Sequence, residues 1–359
     1  MISPSSICRQ YSKLAATLRA TLVCDRWLGP TEGERLCPSR LRRIVRARFA
    51  HVSRRTARGQ FPRVIEVEID GRRRYLRLYR MRYLHLAMCG MWTAHTLREL
   101  GLIVPATVQR CLAVVGGRAC MAVVQEGLPG RRIDEWTAVL GADLGRGLAA
   151  WDSIGPARYG RIAPLCKGYP PGCMADRAAI ARLDLSDKQR PLVQAALDGL
   201  ADAEFLGPVA LSHGDLHGGN FLDVGGGRVA WIDLDAIRFR PRRHDLAVAE
   251  LQLLGRQPDA VAAFEAAYFE RWPQQRAGWV RHRRRWFAFV SIVQALNLRI
   301  DRVLLPGHVR KPEAERRRVA RIHFARAAEA MAAADGTQPS GELVSAIVQR
   351  AAVIIRGHR

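Results

Sequence analysis

The residues best suited to chemistry lie in one short stretch. Leu211-Ser212-His213-Gly214-Asp215-Leu216-His217-Gly218-Gly219-Asn220-Phe221-Leu222 is followed by Val229-Ala230-Trp231-Ile232-Asp233-Leu234-Asp235. Asp215 and Asn220 are near enough in sequence for one tight loop to aim both side chains at a common point. Asp233 ends a short apolar run soon afterwards. That set suits phosphoryl transfer. A hydroxyl acceptor needs a carboxylate within hydrogen-bond reach to orient it and take its proton, the role expected of Asp215. The charge on the phosphates needs a cation, and Mg²⁺ prefers oxygen ligands such as Asn220 and Asp233. His213 reads as a backbone-bonded loop residue, and His217 is given no chemistry. Asp235 would face the same side as Asp233 if the chain stayed extended, either assisting the metal or capping a turn.

The stretch resembles the catalytic loop of the aminoglycoside phosphotransferase and choline kinase branch of the protein-kinase-like superfamily, H-G-D-L/x-H-x-x-N followed by I-D. That resemblance implies ATP and Mg²⁺ as cofactors and a two-lobed α+β fold, with a small antiparallel sheet lobe and a large helical lobe. It implies that residues 124–130, Val-Gln-Glu-Gly-Leu-Pro-Gly, form a hinge, with Glu126 and Leu128 at the nucleotide. His244-Asp245-Leu246-Ala247 is similar to the family's D-L-A, whose carboxylate would support the loop. The Tyr75-Leu76-Arg77-Leu78-Tyr79 strand is also similar to that of bacterial lipopolysaccharide core (Kdo/heptose) kinases.

Two departures stand out. The family places a Lys on the third strand to hold phosphates, whereas Lys13, Lys167, Lys188 and Lys311 are the only lysines. Arg77 occupies the matching position, as a planar fork rather than a point charge. The Glu that would pair with that Lys is absent early in the 84–100 helix, and Glu99 comes near its end. A pseudokinase, binding nucleotide without efficient transfer, is therefore the alternative.

Other elements must position these residues. Val64 to Ile69 alternates, Asp70-Gly71 is a hairpin turn, and residues 75–79 return as the partner strand. A helix is expected over 84–100, then strands near 108–115 and 119–125 about a Gly116-Gly117 turn. Helices are expected over 134–151 and 187–200, strands within 208–235, and helical patterns from 245 to about 334 and from 343 to 355. The expected organisation is a basic helical extension at 1–50 and an N-lobe at 51–126. A C-lobe with a helical insert follows at 127–335, then a linker and C-terminal helix at 336–359.

Composition bounds the remaining possibilities. The chain has 359 residues, 48% of them apolar and 25% charged, which are globular values. No apolar run reaches the roughly 18 residues needed to span a bilayer. The eight cysteines form no C-x-x-C and read as reduced thiols. The first 25 residues carry Arg9, Lys13 and Arg19, which break any signal-peptide core, so a cytoplasmic location is expected. The net charge is +24, and Arg281-His282-Arg283-Arg284-Arg285 and Arg316-Arg317-Arg318 are its densest clusters. They suggest a neutral or anionic small-molecule or glycolipid acceptor and peripheral contact with the anionic inner face of a membrane. No nucleic-acid partner is expected, because no helix-turn-helix, zinc or stacking signature accompanies the charge.

Overall fold

The structure, a computed structural model of the chain, describes residue 44 and residues 64–115, 118–155, 177–300, 312–333 and 342–349. Apart from Ile44, the expected basic extension lies outside these residues, as do the Gly116-Gly117 turn and the 336–341 linker. The chain divides into two compact units, Met1–Leu128 and Pro129–Arg359.

The first unit is built on a four-stranded antiparallel sheet in the order β1-β2-β4-β3. Strands β1 (Val64–Ile69) and β2 (Arg72–Arg80) meet at Asp70-Gly71. Both turn residues have positive φ, 54° and 68°, the geometry that matches a hairpin turn to strand twist. Helix α1 (Leu84–Glu99) leads to β3 (Thr107–Val115) and β4 (Arg118–Glu126). Leu76 and Leu78 of β2 enter a core with Val67, Ile69, Val108 and Val124. Period-two alternation therefore puts Arg77 and Tyr79 on the opposite face of the sheet.

The second unit opens with the two-residue β5 (Arg131–Arg132) and helix α2 (Ala138–Trp151). This helix starts four residues later than its apolar pattern suggests, at Thr137, whose side chain accepts a hydrogen bond from Leu140 N at 3.3 Å. Short helices α3 (Arg177–Ala181), α4 (Gln189–Gly199) and α5 (Ala203–Leu206) precede β6 (Val209–Ser212). Then come β7 (Phe221–Asp223), β8 (Val229–Trp231) and β9 (Arg238–Pro241). The strands form two small sheets, β5-β7-β8 and β6-β9.

The long helical region is cut by its prolines and a π-turn. It comprises α6 (Arg242–Val248), a π-helical turn at Ala249–Leu254, α7 (Pro258–Arg271), α8 (Arg276–Arg299) and α9 (Glu313–Ala332). Pro258 opens α7 and Pro273 follows its end, where a proline costs no helical hydrogen bond. Residues 342–349 are helical again. Helices α2 and α7 cross closely: a Cβ on Gly141 or Gly145 would stand 2.4 Å from Ala260 O or 2.3 Å from Phe264 O. Trp279, Trp286, Phe287 and Phe289 of α8 are buried in this unit's core. No described helix is long and apolar enough to cross a membrane.

The 281–285 cluster makes contacts within the unit. Helix periodicity turns His282 and Arg283 inward, where they are 6% and 3% exposed. Arg281 pairs with Glu204 at 2.6 Å and Arg285 with Asp202 at 3.0 Å, while Arg284 donates to Ala333 O. The cluster thus contacts α5, Asp202 before it and the end of α9.

Candidate active site

The site is a loop held between two hairpin-like pairings. Strand β6 pairs with β9, Ser212 opposite Arg238, and delivers His213-Gly214-Asp215. Strands β7 and β8 pair with Phe221 opposite Trp231, and the register continues outward as Ile232 N donates to Asn220 O at 3.0 Å. Asn220 and Asp233 are thereby brought to one end of the hairpin. Asp233 has φ +60°, so extended geometry stops there. The alternation that would put Asp235 on the same side as Asp233 therefore does not apply.

Within the loop, Asn220 is 4% exposed, and its Nδ2 donates to Asp215 O at 2.8 Å and to Asp215 Oδ2 at 3.4 Å. His217 Nδ1 accepts from Gly219 N at 3.0 Å, which leaves Nε2 to carry the proton. That nitrogen stands 3.5 Å from Asp215 Oδ2. Burial pushes the Asp215 carboxyl up, but hydrogen bonding and attraction from His217, the nearby His213 and the Asn220 bond leave it below the usual carboxylate range. The Asp215 hydrogen bond raises the His217 pKa, against burial.

Gly214 has φ +82°, and a Cβ there would stand 1.9 Å from Ala236 O, so only glycine fits. His213 is fully buried beside Trp151, Phe221 and Trp231, with Nε2 3.0 Å from Ile232 O. Burial lowers its pKa, against the Ile232 hydrogen bond and the charges of Asp215, Asp233 and Asp245.

Beneath the loop lies a buried polar cluster that the sequence shows only in part. His244 Nδ1 is 3.0 Å from Asp245 Oδ1, and Arg240 Nη1 is 3.9 Å from the same oxygen. Arg240 Nη2 also donates to Gly214 O at 3.4 Å, and Ser212 bonds to Asp245. Tyr268 of α7 donates to Asp152 at the end of α2, a second buried pair. Burial, opposed by the Tyr268 hydrogen bond, raises Asp152 well above the usual range. Arg240, Asp152 and Tyr268 escaped sequence reasoning. A buried Asp-Tyr contact between distant helices leaves no local pattern.

The residues expected at the nucleotide, Arg77, Glu126 and Leu128, belong to the first unit. Arg77 pairs across β2 with Val64 and Val123, is 6% exposed, and donates to Tyr79 Oη at 3.4 Å. Glu126 ends β4, its side chain exposed and 4.0 Å from Arg74, and its N–H donates to Ala106 O at 2.9 Å. Leu128 closes the unit, half-buried. Glu99 lies at the end of α1, 3.3 Å from His95.

Among the described residues, no group of three or more His, Cys, Asp or Glu could hold a metal. Asn220 and Asp233 supply one carboxamide and one carboxylate oxygen donor. That hard-oxygen pair suits Mg²⁺, which is commonly held by one or two protein ligands together with phosphates and water.

The model of the phosphotransferase enzyme family matches residues 48–287, two thirds of the chain and all of the loop just described. The chain belongs to that family. As a phosphotransferase, it is also similar in fold to solved structures. One is a thermostable mutant of an aminoglycoside phosphotransferase, crystallised with ADP and hygromycin B. It has a TM-score of 0.52 and 13% identity over 81% of this chain and 99% of that one. Another is a choline/ethanolamine kinase family protein from Mesorhizobium loti. There the TM-score is 0.50 with 14% identity, over 86% of this chain and 99% of that one. No curated protein matches the phosphotransferase in sequence. The two-lobed, kinase-like α+β class implied by the loop motif holds for this fold.

Proposed function

We propose that this phosphotransferase moves the γ-phosphoryl group of ATP, with Mg²⁺, to a hydroxyl of a neutral or anionic sugar-like small molecule or glycolipid, of the kind found in lipopolysaccharide core. The observation that carries the reading is that Asp215 and Asn220 share one loop and that the β7–β8 pairing brings Asp233 to the same end of the hairpin as Asn220. Asp215 Oδ2 is engaged by Asn220 and faces His217, so Oδ1 is the atom left to orient the acceptor hydroxyl and receive its proton. The Asn220 amide nitrogen is bonded to Asp215 O, so its oxygen is the atom that would join the Asp233 carboxylate as a Mg²⁺ ligand. The ion, when bound, neutralises charge on the phosphates. Arg77, in place of the usual lysine, is the candidate phosphate contact of the first unit, with Glu126 and Leu128 at the adenine.

Asp215→Asn should leave folding and ATP affinity nearly intact and reduce transfer by several orders of magnitude. Asp233→Ala should instead weaken Mg²⁺-dependent nucleotide binding. Both are checked by calorimetric ATP titration beside a transfer assay with candidate acceptors, and equal turnover by wild type and Asp215→Asn would end this reading. Nucleotide binding without turnover on any acceptor would favour a pseudokinase. An antibiotic acceptor is the second reading, favoured by the similarity in fold to the hygromycin B complex.

A further inference from the structure

The candidate loop has a cationic edge that the mechanism above does not use. Pairing of β5 with β7 sets Arg131 opposite Asp223 and Arg132 opposite Leu222, which brings both arginines to the strand that leaves the loop. Successive strand residues point to opposite faces. Arg131 is tied to Asp223 at 3.4 Å. Arg132 is exposed and, among the described residues, makes no ion pair or hydrogen bond. Its guanidinium lies near Gly219: a Cβ on that residue would stand 3.9 Å from Arg132 Nη2 and 2.8 Å from His217 Cε1. Asp215, His217 and Arg132 therefore follow one another along the lip of the loop, with the imidazole between carboxylate and guanidinium. The positive charge of Arg132 is felt at the imidazole, where it opposes the pull of Asp215.

Other arginines of this unit are engaged. Arg228 and Arg146 share Asp143, and Arg281 and Arg285 hold α5. The acids closest to Arg132 in sequence, Asp134 and Glu135, form no ion pair with it. An unpaired planar guanidinium on the far side of the His217 imidazole from Asp215 is suited to a bidentate anion. It also repels a polycation approaching Asp215.

We propose that Arg132 is a specificity-determining residue that binds a phosphate or carboxylate carried by the acceptor, about one imidazole width from the hydroxyl addressed by Asp215. This assignment rests on the phosphotransferase reading of the loop. It moves the selection of an anionic acceptor from the 281–285 cluster to a single residue of β5.

The test is a binding titration of the full chain with Mg²⁺ and a non-hydrolysable ATP analogue. Neutral sugars, sugar phosphates, uronic acids and kanamycin are each added to that complex. Anionic sugars should bind about tenfold or more tightly than neutral ones, and Arg132→Gln should erase that margin while leaving affinity for the ATP analogue unchanged. Arg132→Lys keeps the charge but loses the fork, so it should bind anionic sugars more weakly than the wild type and more tightly than Arg132→Gln. The assignment is overturned if the tightest binder is neutral or cationic, or if no anionic compound binds. It is equally overturned if Arg132→Gln weakens the ATP analogue instead. Failure of the wild type to bind the analogue with Mg²⁺ would overturn the phosphotransferase reading as well, whereas analogue binding with the wrong acceptor class overturns only Arg132. The side chain is exposed, so unchanged melting of both variants serves as the folding control.

Discussion

His244 shows how a single buried residue ties the loop's support to pH. Burial and Arg240 push its pKa down to about 4, against the attraction of Asp245. In the unfolded chain the imidazole titrates near 6.5, so between pH 6.5 and 4 the unfolded state takes a proton that the folded state refuses. Stability from this residue is complete above that window and falls as the pH drops through it, by about 3 kcal/mol at its lower end. His213 and His323, whose pKa values are also depressed by burial, add in the same direction. Asp245 behaves oppositely to a raised acid: its carboxyl lies below the usual range, so its contribution is lost only at still lower pH. Asp152 and Glu250, whose pKa values burial raises, contribute in the opposite direction, so thermal melting from pH 8 to 4 isolates the imidazole as the difference between wild type and His244→Gln. Below about pH 6.5 the wild type should lose more of its midpoint than His244→Gln does, and parallel pH profiles of the two proteins from pH 7 to 5 would contradict a buried neutral imidazole.

At the scale of elements, the loop depends on backbone approaches that leave no room for a side chain. Gly214→Ala would press a methyl group onto Ala236 O and force a residue with a Cβ to φ +82°. The expected result is a loss of about 2 kcal/mol or more, with displacement of Asp215 and loss of transfer. The α2–α7 crossing is comparably tight, and Gly145→Ala should cost about 1–3 kcal/mol by driving the helices apart. Gly155→Ala, with nothing within 4 Å of the new Cβ, is the control and should stay within about 0.5 kcal/mol. Urea denaturation of the three variants checks the order. If Gly145→Ala matched Gly155→Ala, the crossing would be looser than the backbone distances require.

For the molecule as a whole, the net charge of +24 overstates the field that a ligand meets. Arg77, Arg240, Arg243 and Arg283 are each less than 10% exposed. Arg243 donates to the carbonyls of Glu204 and Phe205, and Trp286 donates to Phe205 O as well, so α5 is fastened to the helical core from two sides. Arg283 is 3% exposed and faces the buried Glu250 carboxyl, whose pKa burial raises well above the usual range. Arg283→Glu should therefore destabilise the fold by about 3–5 kcal/mol rather than tune acceptor affinity. Arg281→Ala and Arg285→Ala remove exposed ion pairs and should leave the melting temperature nearly unchanged. Circular dichroism melting of the three proteins checks this, and a fully stable Arg283→Glu would show that the side chain reaches solvent.

Much of this was legible before any fold was known, because it is local. The turn at Asp70-Gly71 is set by two residues that tolerate positive φ. Alternation over residues 64–79 determined the first hairpin, and the spacing of Asp215, Asn220 and Asp233 determined which side chains one loop and one short hairpin could bring together. Such features depend on neighbours a few residues apart, where period and turn chemistry leave few alternatives. Only the tertiary structure decided the fate of the arginines. The charge of residues 281–285 is visible in the sequence, but whether each guanidinium faces solvent, Asp202, Glu204 or the core follows from how α8 rotates against α5. Likewise Tyr268 meets Asp152 across 116 positions, and Arg132 reaches Gly219 only because β5 joins β7 in one register. Partners so far apart in the chain are chosen by packing and strand register, which composition and spacing do not encode.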